Sequence, residues 1–161
     1  MHDAHRRRVP GRGLATPRKK PELVEYADGD EASAFAQMLG GLIGANVEQR
    51  PEKRRDFEAL SARVGIDVTD LDEAVTLDFK RGRLVVSNGL KRGRQLTIRA
   101  ESDTVMTLSN LSILPVVGLP NYTNSTGREV LGKLVNRKLR IDGMLANMPT
   151  LNRVTRVFSV R

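Results

Sequence analysis

No cysteine occurs anywhere in the 161-residue chain. Disulfide cross-links, thiolate nucleophiles and cysteine-ligated zinc or iron centres are therefore excluded. Tryptophan is absent as well, and aromatic residues make up only 4% of the sequence. The interior must be filled by Leu, Val, Ile and Met, which suit either close packing or a pliable pocket for an apolar ligand. Histidine is confined to His2 and His5. The region downstream thus has no imidazole for general acid–base work, for a Ser-His or Cys-His pair, or for an ordinary metal site. Long hydrophobic runs are missing too. The longest, Met38 to Val47, is interrupted by Gly40, Gly41 and Gly44, and a bilayer span needs about 20 apolar residues. The basic amino terminus is not followed by an apolar stretch, which argues against a secretory signal. A soluble, cytoplasmic chain without catalytic residues, cofactor or metal is expected.

What is present is unevenly placed. Of the net charge of +8, residues 1–20 carry +6, from seven Arg and Lys residues set against Asp3. Residues 1–30 are rich in Arg, Pro and Gly and lack apolar periodicity, so they read as a disordered basic tail. Residues 31–161 read as one domain. The high isoelectric point describes the tail more than the domain.

Ala32 to Val47 carries Phe35, Met38, Leu39, Leu42 and Ile43 along one helical stripe. Pro51 marks a break. Glu52 to Arg63 reads as a second helix, with Phe57, Leu60 and Val64 inward, Lys53, Arg54 and Arg55 solvated, and Gly65 as its stop. Val75, Leu77 and Phe79 then alternate with polar neighbours in the period of two expected of a half-buried strand. Leu84–Ser87 and Gln95–Ala100 continue the meander through turns at Arg81-Gly82 and Asn88-Gly89. Consecutive hairpins imply antiparallel pairing. Ser102 reads as a helix cap with Asp103 in the first turn. Leu111–Leu119 reads as an apolar loop, and Ser125 or Thr126 as the cap of a helix with Val130, Leu131, Leu134 and Val135 inward. Leu139 and Ile141 form a short strand that Gly143 ends, and Pro149-Thr150 opens a last helix. Strands followed mostly by helices define an α+β domain, an antiparallel sheet with helices on one face. Such helices either pack solid or leave an apolar cavity against the sheet.

Other clusters read more simply. Asp67, Asp70, Asp72 and Glu73 lack the glycine and terminal glutamate of a calcium loop and read as a solvated acidic turn. Gly40-Gly41 permits close packing of a helix, and no phosphate-binding fingerprint is present. Lys80–Arg83 and Lys91–Arg94 fall at successive turns, hence at opposite ends of a meander, and read as two separate solvated clusters. They carry no exposed aromatics of the kind that nucleic-acid platforms use.

The order of these elements resembles the sterol carrier protein type 2 family. The resemblance rests on the strands Ala74–Phe79 and Leu84–Ser87, on the strand-to-helix phrase Ile98–Asp103, and on Arg137–Gly143 leading into the last helix. The segments Arg50–Asp72 and Leu111–Thr126 depart from it. The resemblance implies an approximately five-stranded sheet covered by helices, an apolar tunnel between them, and binding of sterols, fatty acids or acyl-CoA without catalysis. The lining residues it points to are Leu77, Phe79, Ile98, Met106, Leu108, Leu111, Leu114, Val130, Leu134, Val154 and Phe158. Met106 and Met144 are flexible enough to adapt to varied ligands, and Arg128 or Lys133 stands near the mouth for a ligand carboxylate or phosphate. The expected partner is a hydrophobic small molecule, with transient contact to an anionic membrane aided by the basic tail. Two other readings stay open: an accessory interaction domain with a filled core, and a nucleic-acid or anionic-membrane binder acting through residues 1–20.

Overall fold

A computed structural model describes residues 22–109, 128, 132 and 139–159. They form a six-stranded sheet and four α-helices. The elements are β1 (Val24–Tyr26), α1 (Ala34–Gln49), α2 (Pro51–Ala59), β2 (Ser61–Val68), β3 (Glu73–Lys80), β4 (Leu84–Asn88), β5 (Leu96–Ala100), α3 (Ser102–Ser109), β6 (Leu139–Asp142) and α4 (Met148–Phe158). The strand order is β1-β4-β3-β2-β5-β6. Thus the α+β class holds, but the sheet is mixed. β2–β3, β3–β4 and β5–β6 are antiparallel, whereas β1–β4 and β2–β5 are parallel.

Two strands lie where the sequence suggested something else. Residues 61–63, read as the end of a helix that Gly65 stops, instead open the central strand β2, which runs through Gly65 to Val68. Ala62, Val64, Ile66 and Val68 are buried in alternation with Arg63 and Asp67. The segment before residue 31, read as tail, contributes the edge strand β1, and Ala27 N donates to the Val86 carbonyl at 2.9 Å.

The connection from β4 to β5 is the other correction. It is not a hairpin. Residues 89–95 cross the outer face of the sheet over β3 and β2, so that β5 comes to rest beside β2. Thr76 Oγ1 donates to the Gly89 carbonyl and accepts from Lys91 N–H, each at 2.8 Å. Arg94 Nε donates to Thr97 Oγ1 at 3.1 Å. Gly65 leaves room for this strap: a Cβ there would stand 2.6 Å from Arg94 Cδ and 2.8 Å from Leu90 Cδ2. The glycine that looked like a helix stop is a gap under a crossing chain.

The opposite face carries the core. Val64, Ile66, Val75, Leu77, Phe79, Leu84, Val86 and Leu96 point to the helices and are buried. Phe57 of α2 meets Phe79 edge to face, ring centroids 6.0 Å apart. α1 contributes Phe35, Leu39 and Ile43, but Met38 of the same stripe is exposed. Ser33 caps α1, its Oγ accepting from Ala36 N–H at 3.1 Å.

α4 is locked onto α1 and α2 at its carboxyl end. Asn46 Nδ2 lies 3.1 Å from the carbonyls of Val157, Phe158 and Ser159. Arg156 pairs with Asp56 through two bonds of 2.7 Å, and this partner raises the Arg156 pKa. Lys53, expected in solvent, is only 2% exposed, and its Nζ donates to the Ser159 carbonyl. Burial, with Arg50 adding to it, pushes the Lys53 ammonium down to about 8. Arg54 and Arg55 are exposed as expected.

Candidate ligand-binding site

The helix-side face of the sheet is the surface on which the expected lining residues converge. Leu77 of β3, Phe79 of β3, Ile98 of β5, and Val154 and Phe158 of α4 all lie in one buried cluster. Met106 and Leu108 fall on α3, whose first residue is Ser102, expected to precede it as a cap, and whose side chains beyond Val105 are not described. Leu111, Leu114, Val130, Leu134 and Lys133 lie outside the described residues, as do the loop and helix expected around them. Arg128 is exposed.

This face is not uniform. Over β2, β3 and β4 it is closed by α1 and α2, with Phe57, Leu39 and Ile43 packed onto Leu77 and Phe79. Toward β5 and β6 the cluster continues through Ala100, Val105, Leu139 and Val157. Ile141 and Met144 are only partly buried against the cluster, and Ile98, Leu151 and Phe158 each keep 7% of their surface exposed. Leu77 and Phe79 therefore belong to the half under α1 and α2. Ile98, Val154 and Phe158 lie on the β5 and α4 side of the cluster.

One charged group stands on this apolar face. Glu73 opens β3 in register with Val68 and in phase with Val75, Leu77 and Phe79. Its Oε2 is buried with no hydrogen-bond partner, the one such side-chain atom among the described residues. Buried acceptors are paired as a rule, and an orphaned one is costly. The sequence held the signal, because Glu73 continues the inward alternation that Val75, Leu77 and Phe79 define. It was masked by three other acids nearby. Those three have structural roles or none. Asp67 accepts from Arg99 Nε at 3.0 Å. Asp70 accepts from Ser102 N–H at 2.8 Å and from Ser102 Oγ at 2.6 Å. It thereby secures the first turn of α3, and the bond from the Ser102 side chain holds the Asp70 carboxyl below its usual range. Asp72 is exposed. Among the described residues no group of three or more acids or histidines could hold a metal ion, and no helix is long and apolar enough to cross a membrane.

An open cleft of about 800 Å³ lies elsewhere, between β1 and the glycine face of α1. Its walls include Val24, Tyr26, Gly40, Gly44, Glu48 and Arg54, and it shares no residue with the expected lining set. Tyr26 explains the helix glycines: its hydroxyl donates to the Gln37 carbonyl at 3.1 Å, and a Cβ on Gly40 would stand 2.6 Å from that oxygen. Gly41 faces open space. Gly40→Ala is accordingly expected to destabilise the chain by about 1–3 kcal/mol through overpacking. Gly41→Ala should stabilise it by about 0.5–1 kcal/mol through helix propensity. Paired denaturant titrations check this, and equal effects at both positions would refute the Tyr26 contact.

This arrangement, a mixed sheet with helices on one face and an apolar interior, defines the class as a small α+β domain. The comparisons with known proteins agree. The model of the SCP-2 sterol transfer family matches residues 43–113, from the middle of α1 through β5 and α3. The solved structure titled "UbiJ-SCP2 Ubiquinone synthesis protein" is similar with a TM-score of 0.55, over 77% of this chain and 92% of that one, at 10% identity. At that identity the likeness concerns the fold. No curated protein matches the chain. The family whose model matches residues 43–113 is the one the sequence resembled.

Proposed function

We propose that this chain is a non-catalytic carrier that binds a hydrophobic small molecule reversibly between the β5–β6 side of its sheet and the helices α3 and α4. The observation that carries the reading is the overlap of the SCP-2 sterol transfer match with most of the strands that build the apolar face. Binding there needs no chemistry beyond burial. Each Å² of apolar ligand surface removed from water contributes about 25 cal/mol, less the cost of association.

Glu73 narrows the ligand class, because it pairs with Val68, which lies beside Ala100 of β5 where the chain turns into α3. A buried carboxylate oxygen without a donor accepts a hydrogen bond from a ligand hydroxyl. The same carboxylate sets like charge against a ligand carboxylate or phosphate. A sterol-like or other hydroxyl-bearing lipid therefore fits better than a fatty acid or acyl-CoA. A second reading, an accessory domain with a filled interior, draws support from the close packing of Phe57 and Phe79.

Mass spectrometry of the purified protein, native and after organic extraction, separates the two. A stoichiometric lipid supports the carrier. An empty protein that also takes up neither fluorescent sterol nor fluorescent fatty acid leaves the accessory domain. For the ligand class, a long-chain alcohol should bind at least about tenfold more tightly than the acid of equal length, about 1.4 kcal/mol. Glu73→Gln should bring the two within about threefold. Equal binding by the unaltered protein would remove Glu73 from the site and leave the carrier reading standing.

A further inference from the structure

The topology brings together basic residues that the sequence placed apart. β2 starts, β3 ends and β4 starts at one end of the sheet, where Ser61 pairs with Lys80 and Phe79 with Leu84. Because the 89–95 strap returns across the outer face, β5 starts near the same end, with Gln95 N donating to the Arg63 carbonyl at 2.9 Å. The Arg63 guanidinium reaches the Arg92 carbonyl at 2.6 Å. Lys80, Arg81, Arg83, Arg63, Arg92 and Arg94 therefore share one end and its adjoining outer face, contrary to the expectation of two separate clusters. Three carboxylates offset part of this charge: Asp78 bridges Arg63 and Lys80 at 2.8 and 3.5 Å, Glu25 pairs with Arg83, and Glu58 of α2, paired with Arg54, stands beside Gly82.

Acidic residues gather at the opposite end. The β2–β3 turn carries Asp70 and Asp72, the start of α3 carries Glu101 and Asp103, and the turn before α1 carries Asp30 and Glu31, all exposed. The described domain is thus polarised along its strands, although its net charge is small.

An apolar knob completes the basic end. β6 runs antiparallel to β5 and leaves the sheet here, where Asn147 Nδ2 donates to the Gln95 carbonyl at 3.1 Å. The 3-10 turn Leu145–Asn147 that follows leaves Leu145 88% exposed, and Met148 at the start of α4 is 43% exposed. A single exposed leucine needs no explanation. Two exposed apolar residues beside a row of guanidinium groups match a surface that is anionic outside and apolar beneath.

We propose that this end of the domain docks on the headgroup face of an anionic bilayer, with Leu145 and Met148 entering the interface and the arginines meeting lipid phosphates. The acidic end then points away, so the charge polarity orients the domain before contact. Nucleic acid fits less well, because no aromatic side chain among the described residues is exposed at this end to stack on bases. The inference does not depend on which cargo the interior holds.

Sedimentation of the full chain with vesicles tests it, using phosphatidylcholine alone and with about one third phosphatidylglycerol, a fraction chosen to supply a strong negative surface potential. Binding is expected only to the anionic vesicles and should weaken as salt is raised. Arg81→Glu combined with Arg92→Glu should weaken it at least about tenfold, and Leu145→Ser about threefold or more. Both variants alter exposed side chains, and unchanged thermal melts would confirm that they fold. Vesicle binding that is undiminished in both variants would overturn the proposal by assigning the attraction to the basic segment 1–20. So would tight binding to a single-stranded oligonucleotide, lost in the double variant, without vesicle binding.

Discussion

Gly143→Ala is expected to destabilise the domain by about 3–5 kcal/mol, combining backbone strain with a steric clash. For a domain of this size the melting temperature should fall by roughly 10 °C or more. Gly143 follows β6 with φ at +83°, in the left-handed region that a side chain disfavours. A Cβ at this position would also collide with the backbone carbonyl oxygen of Gln95. That oxygen cannot step aside cheaply. It accepts from Asn147 Nδ2 at 3.1 Å, and the same Nδ2 reaches the Gly143 carbonyl at 3.0 Å. The Gln95 side chain is held as well, Oε1 accepting from Arg63 N–H at 2.6 Å. Strand β5, strand β6 and the turn into α4 thus meet at one crowded point. Gly29→Ala separates the two contributions, since φ there is +53° but nothing lies within 4 Å of an added Cβ. It should cost only about 1–2 kcal/mol. Similar losses at both positions, read from denaturant midpoints at unchanged slope, would mean that Gln95 can yield and that the turn is not the junction described.

How much of this was legible beforehand depends on how local each signal is. Gly143 was legible as a strand terminator because an Asp-Gly pair after alternating apolar residues is a local pattern. α1, β3, β4 and α4 were legible for the same reason: each carries its own period. β2 was not, because Phe57, Leu60 and Val64 satisfy a helical spacing while Ala62, Val64, Ile66 and Val68 satisfy a strand. The choice between them is made by β3 and β5, which pair with β2 on either side. The strap over Gly65 was equally hidden. Asn88-Gly89 predicts a turn, and a turn is there, but nothing near it says that the chain will pass two strands before pairing again. Five of the eleven residues expected to line the site, Leu77, Phe79, Ile98, Val154 and Phe158, share one buried cluster. Glu73 was grouped with its acidic neighbours, although its phase on β3 set it apart. Period decides which side of a sheet a residue occupies. Partners distant in sequence decide whether a charge on that side is satisfied.

Lys53 carries the second large expectation, because its partners too are distant in sequence. An ammonium ordinarily titrates near 10.5, and burial in the folded chain lowers Lys53 to about 8. The folded state therefore binds this proton more weakly than the unfolded state. Below pH 8 both states are charged, and the folded state bears the full penalty, about 3 kcal/mol at about 1.4 kcal/mol per pH unit. Between pH 8 and 10.5 the unfolded chain holds more protons than the folded one, so stability must rise with pH across that window. Most proteins lose stability there, which makes the sign diagnostic. Lys53→Met removes the titration, and the rise should vanish. The level is a separate matter from the slope. Lys53 Nζ donates to the Ser159 carbonyl beside Asn46, at the end of α4, so the variant also forfeits a bond that ties α4 to α2. The difference between the two proteins is therefore expected to widen as pH rises from 8 to 10.5, in favour of the unaltered chain. Urea titrations of both at pH 7, 8, 9 and 10 measure this. Parallel curves would place Lys53 in contact with water and dissolve the argument that the α4 terminus is held by a buried cation.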